Sequence, residues 1–336
     1  MGGSATSDIG QLRRREFITV LGGLAVSWPP VARAQQRPAA IGLLGSGTAQ
    51  SSGNLVDAFK RGLSDQGLSE GRDYVLDVRW AEGDYSRFPA LAREVVETRP
   101  AAILVTTIAA VRAAQRASTT IPIVMATIND PVGAGLVASL GHPGGNTTGT
   151  ANLTEDLTPK LLEFLRALIP QATVVAALFN PANPSHRPML DNILAHAGTF
   201  GLTIQPAELT SPAELDALFD RIAQHRSEAL LIVNDAAILD LRERIMVLAV
   251  RHRLPTFSSY PEFTDGGALA GYGPSRTALY RRSAYYVKRI LDGVKPADLP
   301  VEQPTHIELS VNLKTAKMLG IPISAAFLAR ADRVVE

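Results

Sequence analysis

The chain has 336 residues, 33 Lys and Arg against 32 Asp and Glu, and 46% apolar residues. A near-neutral charge with no Lys/Arg stripe and no interleaved aromatic set excludes an electrostatic nucleic-acid binder. The lack of cysteine excludes disulfides and thiolate metal sites, so stability has to come from the core.

The chain opens with a polar leader over 1–12, then Arg13-Arg14-Arg15, a short apolar run from Phe17 to Val26, and Ala32-Arg33-Ala34. This order of basic flank, apolar stretch and small-residue site predicts a signal peptide over 1–34, cleaved before Gln35. Arg14-Arg15-x-Phe17-Ile18 also fits a twin-arginine signal, so a Sec or a twin-arginine route is open. The apolar run falls well short of the ~20 residues that cross a bilayer. With no cysteine for lipid attachment, a freely soluble periplasmic form is expected. About 300 residues then remain, enough for two domains.

Two successive series of alternating strand and helix patterns follow, which argues for parallel sheets with helical crossovers. The first has predicted strands at 40–44, 74–80, 101–105 and 121–125, with helices at 54–66, 87–98 and from about 109. The second starts with a helix at 159–168 and has strands at 173–179, near 202, at 229–233 and at 255–258. Its helices fall at 188–200, around Leu215 to Ile222, and at 238–251. Glycine-rich passages at 144–150 and 266–274 suit chain crossings between the two halves. A helix over 276–291 would return to the first half and 304–312 would cross once more.

In open parallel sheets a ligand sits beyond the carboxyl ends of the strands. The loops there carry Ser46 and Ser51, Thr106 and Thr107, Asn129 and Asp130, Asn180 and Asn183, Asn234 and Asp235, and Tyr260. Their hydroxyl, amide and carboxylate groups suit a small polar molecule, and helix-start N–H groups favour an anionic end at Thr106 and Thr107. Asp130 or Asp235 could hold a cationic group. Helix capping asks for the same residue types, and Asp130 before Pro131 fits a cap best. Tyr260 and Tyr272 lie near a proposed crossing, where a ring could stack on a ligand. Trp80 is expected to pack under a loop, and the tyrosines at 280, 285 and 286 against the sheet.

Catalytic patterns are missing. Gly45-x-Gly47 lacks the third glycine of a dinucleotide fingerprint, and there is no Gly-Lys-Ser/Thr, no His-x-x-x-His pair and no Gly-x-Ser-x-Gly. The six histidines read as surface or capping residues. No cofactor and no metal is expected. An exported enzyme using Asp130 or Asp235 as general base is the alternative, and a sensor for a membrane receptor would use the same binding physics.

Trp80-Ala-Glu-Gly, Ile121-Pro-Ile-Val, Asp130-Pro-Val-Gly-Ala-Gly-Leu, Pro143-Gly-Gly-Asn146, Asn180-Pro-Ala-Asn-Pro184, Tyr272-Gly-Pro274, Pro296-Ala-Asp-Leu-Pro-Val-Glu-Gln-Pro304 and Leu328-Ala-Arg-Ala-Asp332 span nearly the whole chain. Together they resemble the ABC-transporter substrate-binding proteins, in the branch whose better-known members bind tryptophan and other aromatic amino acids. The cleft-facing loops depart from that pattern at Ile128-Asn129, Asn234-Asp235 and Ser258-Ser-Tyr260. The resemblance implies a type I periplasmic binding protein with two Rossmann-like lobes, 38–152 with 275–305 and 153–274 with 306–336. It implies a monomer that is not an enzyme, closing on a small-molecule solute and delivering it to an ABC permease and ATPase in the inner membrane.

Overall fold

A computed structural model describes residues 1–3, 37–152 and 154–336. The export signal lies outside the described residues. Residues 38–336 form one compact unit.

Its first half runs β1 (Ala39–Gly45), α1 (Ala49–Asp65), β2 (Tyr74–Trp80), α2 (Phe88–Glu97), β3 (Ala102–Val105), α3 (Ile108–Ala117), β4 (Ile123–Asn129) and β5 (Thr147–Asn152). The strands make a sheet in the order β2-β1-β3-β4-β5, parallel throughout. β1 and β3 read as unbroken apolar runs, and β4 does so up to Ala126, because helices cover both faces. α1 buries Leu55, Phe59 and Leu63, spaced four apart, against one face.

The second half contains α4 (Thr154–Leu168), β6 (Val174–Phe179), α5 (His186–Ala197), β7 (Thr203–Glu208), α6 (Leu215–Gln224), β8 (Ala229–Ile232), α7 (Ala236–Asp240), α8 (Arg242–Arg251), β9 (Thr256–Ser258) and β10 (Ala270–Gly273). The chain ends with α9 (Arg276–Leu291), β11 (Glu308–Asn312), α10 (Leu313–Leu319), α11 (Ala325–Leu328) and β12 (Arg333–Val335). The second sheet has the order β12-β11-β10-β9-β8-β6-β7. Only its β10–β11 pair is antiparallel. Fully buried Phe219, Phe257 and Phe263 anchor this half, each contributing about 2–3 kcal/mol of burial.

Both sheets thus share one plan around a first strand, β1 or β6, whose neighbours are the second and third strands of its series. That neighbourhood is the topological switch point where ligands bind. α9 follows β10 of the second sheet yet packs on α1 and β4 of the first. The Thr150–Glu302 bridge then ties the segment before β11 to β5.

Three predicted helices differ most, and α1 begins at Ala49 instead of Asn54 because a Thr48–Ser51 capping box starts it earlier. α4 starts five residues before Pro159, because the Asn152 amide oxygen accepts from the Thr154 N–H (3.2 Å) and anchors an earlier first turn. The predicted helix over 238–251 is two helices, broken at Leu241 (φ −92°, ψ 3°), with the first started by an Asp235 cap.

Candidate functional site

The carboxyl ends of both sheets enclose one cavity of about 70 Å³. That is room for several water-sized groups. Ser46 after β1, Thr106 and Thr107 after β3, and Thr127 and Asn129 at the end of β4 line one wall. Thr107 caps α3, its hydroxyl accepting from the Ala110 N–H (3.2 Å). Helix geometry leaves the N–H groups of Ile108 and Ala109 without intrahelical acceptors, beside Thr106 and Thr107. Thr127 lies at the β4 irregularity with φ 63°, a left-handed conformation a β-branched residue rarely adopts. Its carbonyl is held by the Asn152 amide (2.9 Å). Such strain persists where surrounding bonds over-determine it.

Trp80, expected to pack under a loop, lines the cavity. The reason is Gly45, its register partner on β1: a Cβ there would run into the indole ring. Glycine therefore lets the edge-strand tryptophan lie across the sheet.

The opposite wall is organised by Asp235. Its carboxylate accepts from Asn183 Nδ2 (2.8 Å), Asn180 Nδ2 (3.3 Å) and the backbone of Ala237 (2.8 Å) and Ile238 (3.4 Å). The fifth donor crosses the cleft: Tyr85, between β2 and α2, donates its phenol proton to Asp235 Oδ2 at 2.6 Å. Burial first, and then the Asp235 charge, hold the Tyr85 phenol well above its ordinary pKa. Behind Asp235, His186 is fully buried, unlike the surface or capping role expected of the histidines. Its Nδ1 accepts from the Asn180 N–H (2.9 Å) and Nε2 faces the Asn234 carbonyl (3.0 Å). That pairing assigns the neutral Nε2–H tautomer, and burial lowers its pKa.

The Asn234 amide is consistent with its neighbours when its nitrogen donates to Ser258 Oγ (2.6 Å) and its oxygen accepts from the Tyr260 N–H (3.0 Å). It therefore positions the Tyr260 loop. The Tyr260 ring lies under the Arg276 guanidinium, 4.6 Å from its centroid. Arg276, the first residue of α9, lines the cavity with Tyr280, one turn further on. Burial pushes the Tyr280 phenol up to about 12.

Of the twelve candidates named from sequence, the cavity is lined by Ser46, Thr106, Thr107, Asn129, Asn183, Asn234, Asp235 and Tyr260. The other four lie elsewhere. Ser51 completes a capping box with Thr48 and meets Asp240 of the other half. Asp130 is exposed and turned onto its own loop, accepting from the Gly133 N–H (2.8 Å). Asn180 sits behind Asp235 and spends its amide on it. Tyr272 packs edge-on against Phe164 in the core of the second half, 5.0 Å between centroids. Asp235 also departs from its expected role, since five donors already occupy the carboxylate that was to take a cation. Arg276, Tyr85, Ser52, Thr154, Ser185 and Tyr280 line the cavity without having been singled out for it. Ser52 lies in the first turn of α1 and Ser185 at the cap of α5, whereas Arg276 carries a different signal, a cation at the helix end that disfavours one.

Among the described residues no cluster of three or more His, Asp or Glu could hold a metal ion, and no helix is long and apolar enough to cross a membrane.

Two α/β lobes closing polar strand ends around a small cavity define a two-lobed solute-binding protein. A family model described as ABC transporter substrate binding protein matches residues 48–335, and the chain belongs to that family. A tyrosine-binding protein of Clostridioides difficile (strain R20291) is 25% identical over 263 residues, 78% of this chain and 75% of that protein. A conserved domain protein from Vibrio cholerae O1 biovar El Tor superposes with a TM-score of 0.83 at 26% identity, covering 89% of this chain and 100% of the other. An ABC domain in complex with L-Trp from Streptococcus pneumoniae gives 0.81 at 24% identity, with the same coverages.

Proposed function

We propose that this protein is the periplasmic solute receptor of an ABC importer, capturing a small amino-acid-like carboxylate between its lobes for delivery to an inner-membrane permease. The lobes are taken as 38–152 with 275–305 and 153–274 with 306–336, acting as a monomer exported by the N-terminal signal. The observation that carries the reading is the Tyr85–Asp235 hydrogen bond across a cavity walled by strand ends of both sheets. A bond of that kind stabilises the closed arrangement around an enclosed guest, which is how a clamp retains a solute without a covalent step.

The solute's anionic end belongs at the first turn of α3, beside Thr106 and Thr107, where N–H groups and the helix dipole favour negative charge. Ser46, Asn129, Asn183 and Tyr260 contact it from the two walls, while Asp235 holds the far wall in shape. Leu55, Trp80, Ile108 and Leu239 add apolar surface, so an amphipathic solute fits better than a sugar. The relatives' names put aromatic L-amino acids first in a ligand panel. Asp235, filled by five donors, has no role left as a general base, which favours a receptor over an enzyme.

The test is a thermal-shift screen of protein stripped of ligand by unfolding and refolding, against L-tyrosine, L-tryptophan, other L-amino acids and organic acids. A rise in melting temperature with a carboxylate, and its release unchanged on denaturation, is expected. No shift with any compound would end the reading.

A further inference from the structure

Arg276 is placed where local rules oppose it. It occupies the first position of a 16-residue helix, the positive end of the helix dipole, where a cation is disfavoured. It is also only 9% exposed. Burying a guanidinium is costly unless its donors are used. Yet Nε has no hydrogen-bond partner, and the carboxylate nearest it, Glu262 Oε1, is 3.7 Å away. Both Glu262 oxygens also lack partners. Glu262 balances the charge of Arg276 without satisfying its hydrogen bonds, so the pair does not account for the arginine's position.

What Arg276 does face is the cavity. The Tyr260 ring holds one side of the guanidinium plane, and Tyr280 lies one turn along the same helix face. Tyr280 and Thr106 line that same cavity, so Arg276 and the loop that leads into α3 face one space. We infer that Arg276 is the counter-charge for the solute's carboxylate, making an anionic group on the solute obligatory and setting the receptor's preference for acids over their neutral amides. The inference rests on the solute-receptor reading and adds to it the residue that reads the charge. A planar fork of donors suits a carboxylate bidentately. Because Arg276 begins the helix that follows the β10 crossing, while Tyr260 and Glu262 belong to the loop before β10, a carboxylate docked on it joins both halves at the crossing.

The experiment is isothermal titration of stripped protein with matched pairs, L-tyrosine against L-tyrosinamide and L-leucine against L-leucinamide, with succinate as a carboxylate lacking an amine. Wild type is expected to prefer the acid of the pair it binds by about 10- to 100-fold, the range for hydrogen bonds to a charged group. Arg276→Gln should abolish that preference by weakening the acid and sparing the amide, and Arg276→Lys should retain part of it. The double variant Arg276→Gln, Glu262→Gln removes both charges, so the loss can be read without a stranded carboxylate disturbing the fold. If wild type binds acids and Arg276→Gln binds them equally well, or loses acid and amide alike, the inference falls and the receptor stands. If wild type binds no carboxylate at all, the receptor reading falls and takes the inference with it.

Discussion

Asn129-Asp130 and Asn234-Asp235 are the same dipeptide at strand ends of the two sheets, the first closing β4, the fourth strand of its series, and the second following β8, the third strand of its own. They end differently. At Asp130 the chain enters a left-handed turn (φ 34°) and the carboxylate folds back to accept from Gly133 (2.8 Å) in solvent. At Asp235 the backbone stays extended (φ −148°), α7 starts at the next residue, and the carboxylate is buried facing the other lobe. Pro131 follows one and Ala236-Ala237 the other. An acidic residue at a strand end thus enters a site only when the following chain leaves it pointing across the cleft.

The largest effect should come from separating the two aspartates. Asp235→Ala strands the amides of Asn180 and Asn183, removes the α7 cap and leaves the Tyr85 hydroxyl without its acceptor. A loss of about 3–5 kcal/mol is expected, in the range of a broken buried network. Asp130→Ala loses one solvent-exposed turn bond and should cost about 0.5–1 kcal/mol. Urea titrations of both variants measure the difference, and similar losses would erase the distinction.

Tyr85→Phe isolates the cross-cleft part of that network. Asp235 keeps its four donors from its own half, so the lobes should melt nearly as before. The closed arrangement loses a hydrogen bond to a charged acceptor, about 1.5–3 kcal/mol. Solute affinity should fall at least about tenfold, and small-angle scattering should show a larger radius for the unliganded variant. An unchanged affinity would mean that closure does not depend on this bond.

Much of this arrangement was legible in the sequence. The spans of β2 and α9 were readable to the residue, because alternation in one and a Pro-Ser start in the other are local signals. The ring of strand-end loops follows from topology, so Ser46, Thr106 and Asn183 could be placed near a cavity before any coordinates. Which polar residue faces inward could not, because capping and ligand contact use the same side chains, as Ser51 and Asp130 demonstrate. Tyr272 alternates into the core beside Phe164, which depends on the face of β10 that happens to be covered. Trp80 needed Gly45 as its cross-strand partner, and register between distant strands is not a local property. Arg276 was overlooked because a helix start rich in polar residues resembles a solvated surface; only its conflict with the dipole marked it.

A pH series probes the same wall with a smaller perturbation. His186 is buried neutral, and its folded pKa lies below the unfolded one. Its contribution to stability is therefore present above the unfolded value, about 6.5, and is lost as pH falls through the folded value. The melting temperature should decline from pH 7 towards pH 5, before most carboxylates titrate, and His186→Gln should flatten that slope. A wild-type protein with no slope in this window would place the histidine's proton elsewhere.

The smallest effect concerns the lobe 1 wall, where Thr107 caps α3 and, in the proposed reading, also meets the solute. Its hydroxyl accepts from the Ala110 N–H, so Thr107→Val cannot be a silent change of polarity: the loss of an N-cap costs about 1 kcal/mol. Thr107→Ser keeps the oxygen and should restore most of that stability. Solute binding tells the two duties apart. If the first turn of α3 holds the carboxylate through its N–H groups, Val should weaken affinity in proportion to the frayed turn and Ser should recover it. If the methyl-bearing side chain itself touches the solute, Ser will recover stability while affinity stays low, and the wall of the first lobe would then act through side chains in the way the second lobe's does.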